Sequence, residues 1–207
     1  MTHTITSNTT DSSQAVFIFA HGAGADSSSE FMQSMAKLIG HPNIEVTLFD
    51  FPYMLKRQQT GKKSPPDRMP KLIEAYKQQI AKQAKGRKVF IGGKSMGGRV
   101  ASMIADEEQV AGLICMGYPF HPPGKPENLR TDHLRDLKTP TLILQGTRDP
   151  FGKPEEVATY ELSSKIDVNW LVDGNHSLET LKRSEVSTEQ SWQTTAKLAQ
   201  NFILAQL

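Results

Sequence analysis

The chain has a single cysteine, Cys115, which rules out an internal disulfide. Its setting, Leu113-Ile114-Cys115-Met116, is that of an inert core thiol. No stretch approaches the roughly 18 apolar residues needed to span a bilayer, so no membrane partner is expected. The first 14 residues are rich in Ser, Thr and Asn. They have neither the basic start nor the apolar core of a secretory signal, which points to a cytoplasmic protein. There is no His-Glu-x-x-His and no cysteine pairing, so neither a metal nor another cofactor is expected. Positive and negative charges nearly cancel at a net +2, which singles out no partner and gives no reason to expect nucleic acid. Internal repeats and linkers are also missing.

What remains is 207 residues, 37% hydrophobic and 22% charged, the make-up of one globular α/β domain. We place a disordered polar leader at 1–14 and a single domain at 15–207. One stretch organises the domain: Val89-Phe90-Ile91-Gly92-Gly93-Lys94-Ser95-Met96-Gly97-Gly98-Arg99-Val100. An apolar, strand-like run meets glycines and a serine, then a helix-like segment. Gly93 to Gly97 reads G-x-S-x-G, the pattern of a nucleophile elbow. A serine on so sharp a turn needs positive φ, and the crowding it causes calls for glycine two residues before and after. Gly93-Lys94-Ser95 also resembles the end of a phosphate loop. That motif needs another glycine five positions before Gly93, where Lys88 stands, so the reading fails on spacing.

The remaining chain supplies strands at 15–20, 44–49, 110–116, 141–145 and 167–172, short apolar runs of the kind buried on both faces of a parallel sheet. Helical spacing appears after Ser27-Glu30, which fits a capping box, over 69–80, after the elbow through Ala105, around Val157, and after Ser187-Gln190. A basic loop is expected at 53–68, and a second loop at 117–139 holds a weak helical patch at 133–137. Alternating strands and amphipathic helices predict an α/β fold, a doubly wound, mostly parallel sheet of about six strands with helices on both faces. Ligands in such sheets sit at the carboxyl ends of the strands. His21-Gly22, Ser95, Asp149 and His176 each follow a strand directly.

A serine hydroxyl needs a base within hydrogen-bond reach, which His176 can provide. Asp149 is placed to fix the imidazole tautomer, with Asp173 as its competitor. The order Ser95, Asp149, His176 is that of α/β-hydrolases and differs from both protease orders. Two amides are expected to hold an oxyanion, that of Met96 and that of Ala23 in the His21-Gly22-Ala23-Gly24 turn. Gly22 and Gly24 would let substrate approach the backbone. Lys94 admits two readings, a substrate contact or a side chain in solvent. His21 is read as a brace for the turn. Lys56, Arg57, Lys62, Lys63 and Arg68 in the basic loop either draw in an anionic substrate or form a solvated, mobile face. Lys125 and Arg130 of the second loop, with His121, can line an opposite wall.

The His-Gly-Ala-Gly turn and the Gly-Gly-Lys-Ser-Met-Gly-Gly-Arg elbow resemble the α/β-hydrolase superfamily, in particular small hydrolases related to the dienelactone-hydrolase group. That group is similar in turn to a hydrolase-like domain in a histone acetyltransferase complex subunit. The resemblance runs from about Ala15 to the C-terminus. It implies a minimal fold with no cap domain, lacking the two N-terminal strands of larger members. A missing lid argues against long lipid substrates. The expected function is a serine hydrolase cleaving a small carboxylic ester or thioester through an acyl-enzyme. A peptide or amide hydrolase of the same mechanism, and a non-catalytic scaffold that keeps the fold, are the alternatives. Oligomeric state is not legible.

Overall fold

The computed structural model describes residues 4–5 and 13–207. Its sheet has seven strands: β1 (Thr4–Ile5), β2 (Ala15–Ala20), β3 (Ile44–Phe49), β4 (Lys88–Lys94), β5 (Gly112–Met116), β6 (Thr141–Gly146) and β7 (Ile166–Leu171). They lie in the order β1-β3-β2-β4-β5-β6-β7. All six from β2 to β7 run parallel; only β1 is antiparallel, against β3. The chain therefore starts near the middle, steps out to β3, crosses back to β4 and proceeds to the far edge. This is the doubly wound arrangement expected, and its switch point lies between β2 and β4.

β1 corrects the reading of 1–14 as a wholly disordered leader. Thr4 pairs with Thr47 and Ile5 with Val46, covering backbone groups that β3 would otherwise leave open at the sheet edge. The rest of that leader, up to residue 12, lies outside the described residues.

Side-chain alternation divides the core. Val16, Ile18 and Ala20 of β2 face one layer, built from α2 (Pro52–Thr60), α3 (Met69–Gln83) and α4 (Met96–Ser102). Ala15, Phe17 and Phe19 face the other, where α1 (Glu30–Ile39) and α6 (Thr188–Leu204) pack side by side. Each large apolar side chain buried there contributes about 1.5–3 kcal/mol. A short α5 (Pro154–Val157) follows β6. Among the described residues no helix is long and apolar enough to cross a membrane.

Three local expectations change. The loop at 53–68 begins as helix: Pro52 opens α2, and Gly61, at φ 67°, closes it with its N–H on the Arg57 carbonyl at 2.8 Å. Its polar run Lys56-Arg57-Gln58-Gln59-Thr60 hides the periodicity. Ser27 caps no helix. It binds Asp50 through its N–H (2.8 Å) and hydroxyl (3.0 Å), and Ser29 takes the N-cap position instead. The weak patch at 133–137 is a single 3₁₀ turn, Asp132–Leu134. The capping box at Ser187 and Gln190 forms as the spacing predicts.

One side chain enters the sheet itself. The Tyr76 hydroxyl, fully buried, accepts the Gly92 N–H at 2.9 Å and lies 2.6 Å from the carbonyls of Ile18 and Gly92. It ties α3 to the β2–β4 seam three residues before Ser95.

Candidate active site

Ser95 stands between β4 and α4 at φ 51°, a conformation that costs an L-residue energy and persists only where the surroundings enforce it. Here they do. A Cβ on Gly93 would lie 2.5 Å from the Gly97 backbone, and one on Gly97 would lie 2.5 Å from the Ala20 carbonyl. The two glycines of the motif thus let the β4–α4 turn press against the end of β2.

The structure brings together the three residues expected to cooperate. His176 Nε2 lies 2.8 Å from Ser95 Oγ, and His176 Nδ1 lies 2.8 Å from Asp149 Oδ2. Asp149 follows β6 and His176 follows β7. Their loops meet because Gly146 admits the 174–175 backbone, its missing Cβ falling 2.2 Å from the Gly174 carbonyl. The competing Asp173 makes no such contact; its backbone engages Thr147 and Arg148. Asp149 is completely buried. It accepts from Gln145 Nε2 (2.9 Å) and from the Phe151 N–H (2.9 Å), so its orientation is set before the imidazole arrives. Burial is the chief influence on His176 and lowers its pKa below the ordinary 6.5; the nearby Lys94 charge acts in the same direction, against the pull of Asp149. At neutral pH the ring is therefore a free base, with Nδ1–H donated to Asp149 and Nε2 open to the serine proton.

The turn after β2 is braced as the sequence predicts, with the bracing residues now identified. His21 is fully buried, places Nδ1 2.6 Å from the Gly22 carbonyl, and accepts the Phe51 N–H on Nε2 at 3.1 Å. Burial holds its pKa down as well, in keeping with a neutral ring that donates from one nitrogen and accepts on the other. Tyr53 Oη reaches the Gly22 and Ala23 carbonyls at 3.3 and 3.1 Å, and Arg57 reaches the latter at 3.3 Å. In a trans peptide the N–H opposes the carbonyl. Pinning the Gly22 carbonyl on the α2 side thus turns the Ala23 N–H the other way.

A cleft of about 400 Å³ opens over Ser95 and His176, lined by Gly22, Ala23, Gly24, Phe31, Met32 and Lys94 among others. A second hollow of about 290 Å³ lies on another side of Ser95, bounded by Met96, Leu72, Pro119 and Phe151. Lys94 lines the first cleft, but the solvent-exposed reading of it is wrong. It is only 8% exposed, its ammonium donates to the His176 carbonyl, and Nζ lies 5.7 Å from the centre of the Phe31 ring. Burial lowers its pKa to about 8. Of the basic loop, Arg57 is a strut: it bonds the Ser64 carbonyl and covers the Tyr53 ring at 5.0 Å.

Two supporting residues escaped the sequence reading. Gln145 receives the Tyr118 N–H (2.7 Å) besides holding Asp149. Its signal was present, a glutamine ending an otherwise apolar buried strand, where a polar group must find partners. Phe151 stacks on the His176 ring at 4.1 Å between centroids, a contact with no signature in spacing. Among the described residues no group of three or more His, Cys, Asp or Glu is disposed to hold a metal.

A doubly wound sheet carrying serine, acid and histidine after β4, β6 and β7, with no cap domain among the described residues, defines the class of the α/β hydrolases. The chain belongs to that family: the model described as "Alpha/beta hydrolase domain" matches residues 13–204. The fold is similar to that of a lidless α/β serine hydrolase from Xanthomonas campestris (17% identity, TM-score 0.70), covering 100% of this chain and 88% of that one. It is likewise similar to dienelactone hydrolase from Anabaena variabilis (21%, 0.70), over 95% of this chain and 88% of the other. Est1E from Butyrivibrio proteoclasticus, in a structure with ferulic acid bound, is similar at 14% identity and a TM-score of 0.73, over 100% and 94%.

Proposed function

We propose that the chain hydrolyses small carboxylic esters or thioesters through an acyl-enzyme on Ser95. The observation that carries this reading is the unbroken pair of 2.8 Å contacts from Ser95 Oγ through His176 to Asp149, at the floor of an open cleft. As Ser95 Oγ attacks the substrate carbonyl, its proton passes to His176 Nε2, and Asp149 stabilises the imidazolium. The carbonyl oxygen gains the negative charge and is held by the amides of Met96 and Ala23. Collapse of the tetrahedral intermediate expels the alcohol or thiol, which leaves with the proton from His176. Water then attacks the acyl carbon as His176 takes its proton, and His176 passes that proton to Ser95 Oγ as the acid leaves. The open cleft and the similar proteins named above as hydrolases favour a small substrate over a long lipid.

Substituting Ser95→Ala tests the reading. With p-nitrophenyl acetate and a short acyl thioester as substrates, turnover should fall to the level left by binding and oxyanion contacts, about 10³–10⁴ over water. A fluorophosphonate probe should label wild-type protein and not the variant. Retained turnover, or wild-type protein that is folded yet neither labelled nor active, would overturn it.

A further inference from the structure

The 290 Å³ hollow beside Ser95 holds two guanidinium groups that the reaction does not use. Arg99 stands one helical turn along α4 from Ser95, and side chains on a helix lean toward its N-terminus, so it covers the ground next to the nucleophile. Arg130 comes from the 117–139 loop, held by its N–H on the Phe120 carbonyl (2.8 Å) and by Tyr118 Oη on its own carbonyl (3.2 Å). Both side chains are half-buried, and among the described residues neither has a carboxylate within ion-pair distance. The Arg99 Nε is buried without an acceptor. Burial and the facing charge of Arg99 together weaken the hold of Arg130 on its proton.

Such a pair is costly unless something negative joins it, since a buried donor without a partner forfeits its full hydration. The one acid lining the hollow, Asp67, pairs with Lys71 through Oδ1 at 2.9 Å; its Oδ2 is buried without a hydrogen-bond partner, and it lies within ion-pair distance of neither arginine. The other walls are apolar, from Met69, Leu72, Pro119 and Phe151. Lys62, Lys63 and Arg68, the loop cations expected to attract anions, are exposed.

We infer that Arg99 and Arg130 form a subsite for an anionic group, carboxylate or phosphate, carried by the ester substrate at a short apolar distance from the scissile carbonyl. The planar forks of two arginines suit the paired oxygens of such a group. The inference rests on the hydrolase reading above and narrows it to acidic esters.

The test compares p-nitrophenyl esters whose acyl chains end in a carboxylate, a phosphonate or the neutral methyl ester, together with acetyl esters of 4-hydroxybenzoate and of its methyl ester. Wild-type kcat/KM should favour at least one anionic member over its neutral match by about tenfold or more, the weight of a charge-assisted pair. Which member is favoured separates carboxylate from phosphate and acyl side from leaving-group side. Arg99→Gln with Arg130→Gln should erase that ratio. The single Arg130→Gln, in a loop, should reduce it even if the double variant does not fold. No preference in wild-type protein, or one that survives both substitutions, would overturn the proposal. If no ester is turned over, the hydrolase reading fails by itself. Calorimetry of the carboxylate- and phosphonate-ended esters on Ser95→Ala protein then decides the subsite: saturable binding lost in the arginine variants upholds it, and no binding refutes it.

Discussion

Lys94 offers the sharpest test of how the site is tuned. The perturbation is Lys94→Met, which keeps the length of the side chain and removes its charge. In the protein the ammonium donates to the His176 carbonyl and lies against Phe31, with only 8% of the residue exposed. The gross loss is one charge-assisted hydrogen bond, about 1.5–3 kcal/mol. The gain is relief from desolvating an ammonium, a penalty of a few kcal/mol that the bond largely offsets. Burial lowers the Lys94 pKa to about 8, against the favourable charges of Asp149 and Glu179, so that penalty is real here. The two nearly cancel, and we expect the melting temperature to change little.

Activity should respond more than stability. The Lys94 charge is one of the influences that hold the His176 pKa down, second to burial. The proposed mechanism requires neutral His176, so activity should be lost as pH falls through that depressed value. Without Lys94 the value rises, and the acid limb of kcat/KM on a neutral p-nitrophenyl ester must move to higher pH. In wild-type protein a shallow decline should begin near pH 8 as Lys94 loses its proton, and it should vanish in the variant. The plateau should drop by about tenfold or more, because the loop presenting His176 loses an anchor. An acid limb that stays put, or moves to lower pH, refutes the coupling.

Tyr76→Phe leaves the buried Gly92 N–H without its acceptor, and urea unfolding should report a loss of about 1–3 kcal/mol; a loss below about 0.5 would mean that the hydroxyl contributes nothing to the seam. The buried histidines set a pH trend in stability. His21, His133 and His176 all have folded pKa values below 6.5, so the unfolded chain takes up more protons as pH falls from 6.5, and the folded state loses stability there. Unfolding free energy measured from pH 7 to 5.5 should decline, and a flat or opposite slope would show that these rings are not buried neutral.

The sequence made the site legible where chemistry and chain geometry coincide. Ser95, Asp149 and His176 each follow a parallel strand, and all parallel strands deliver their ends to one edge. Reading where the strands stop was therefore nearly the same as locating the site. The elbow was equally legible because its constraint is local: Gly93 and Gly97 answer to the φ of Ser95, two residues away. The surroundings of Lys94 were hidden, since its partner is a backbone carbonyl 82 residues on. Nothing in the pattern G-x-S-x-G distinguishes a lysine that folds inward from one in water. Helix α2 was obscured for the opposite reason. Its nine residues bury only Tyr53 and Met54, too little apolar surface to show a period.

The end of β4 concentrates demands that conflict. Gly92 must accept the intrusion of Tyr76, Lys94 must reach across to the loop of His176, and Ser95 must hold a strained turn, all within four residues. Each demand alone would be met by loosening the neighbours. None can loosen, because the strand is paired in register on both sides, Gly93 with Ala20 of β2 and with Cys115 of β5. The strain at Ser95 is thus borne by the most central strand junction of the sheet, and not by the loops at its rim. This division leaves the rim free to vary: Arg99 and Arg130 line the hollow beside Ser95 from a helix and a loop next to that junction. Substitutions there should therefore alter which esters are accepted while leaving the geometry of Ser95 intact.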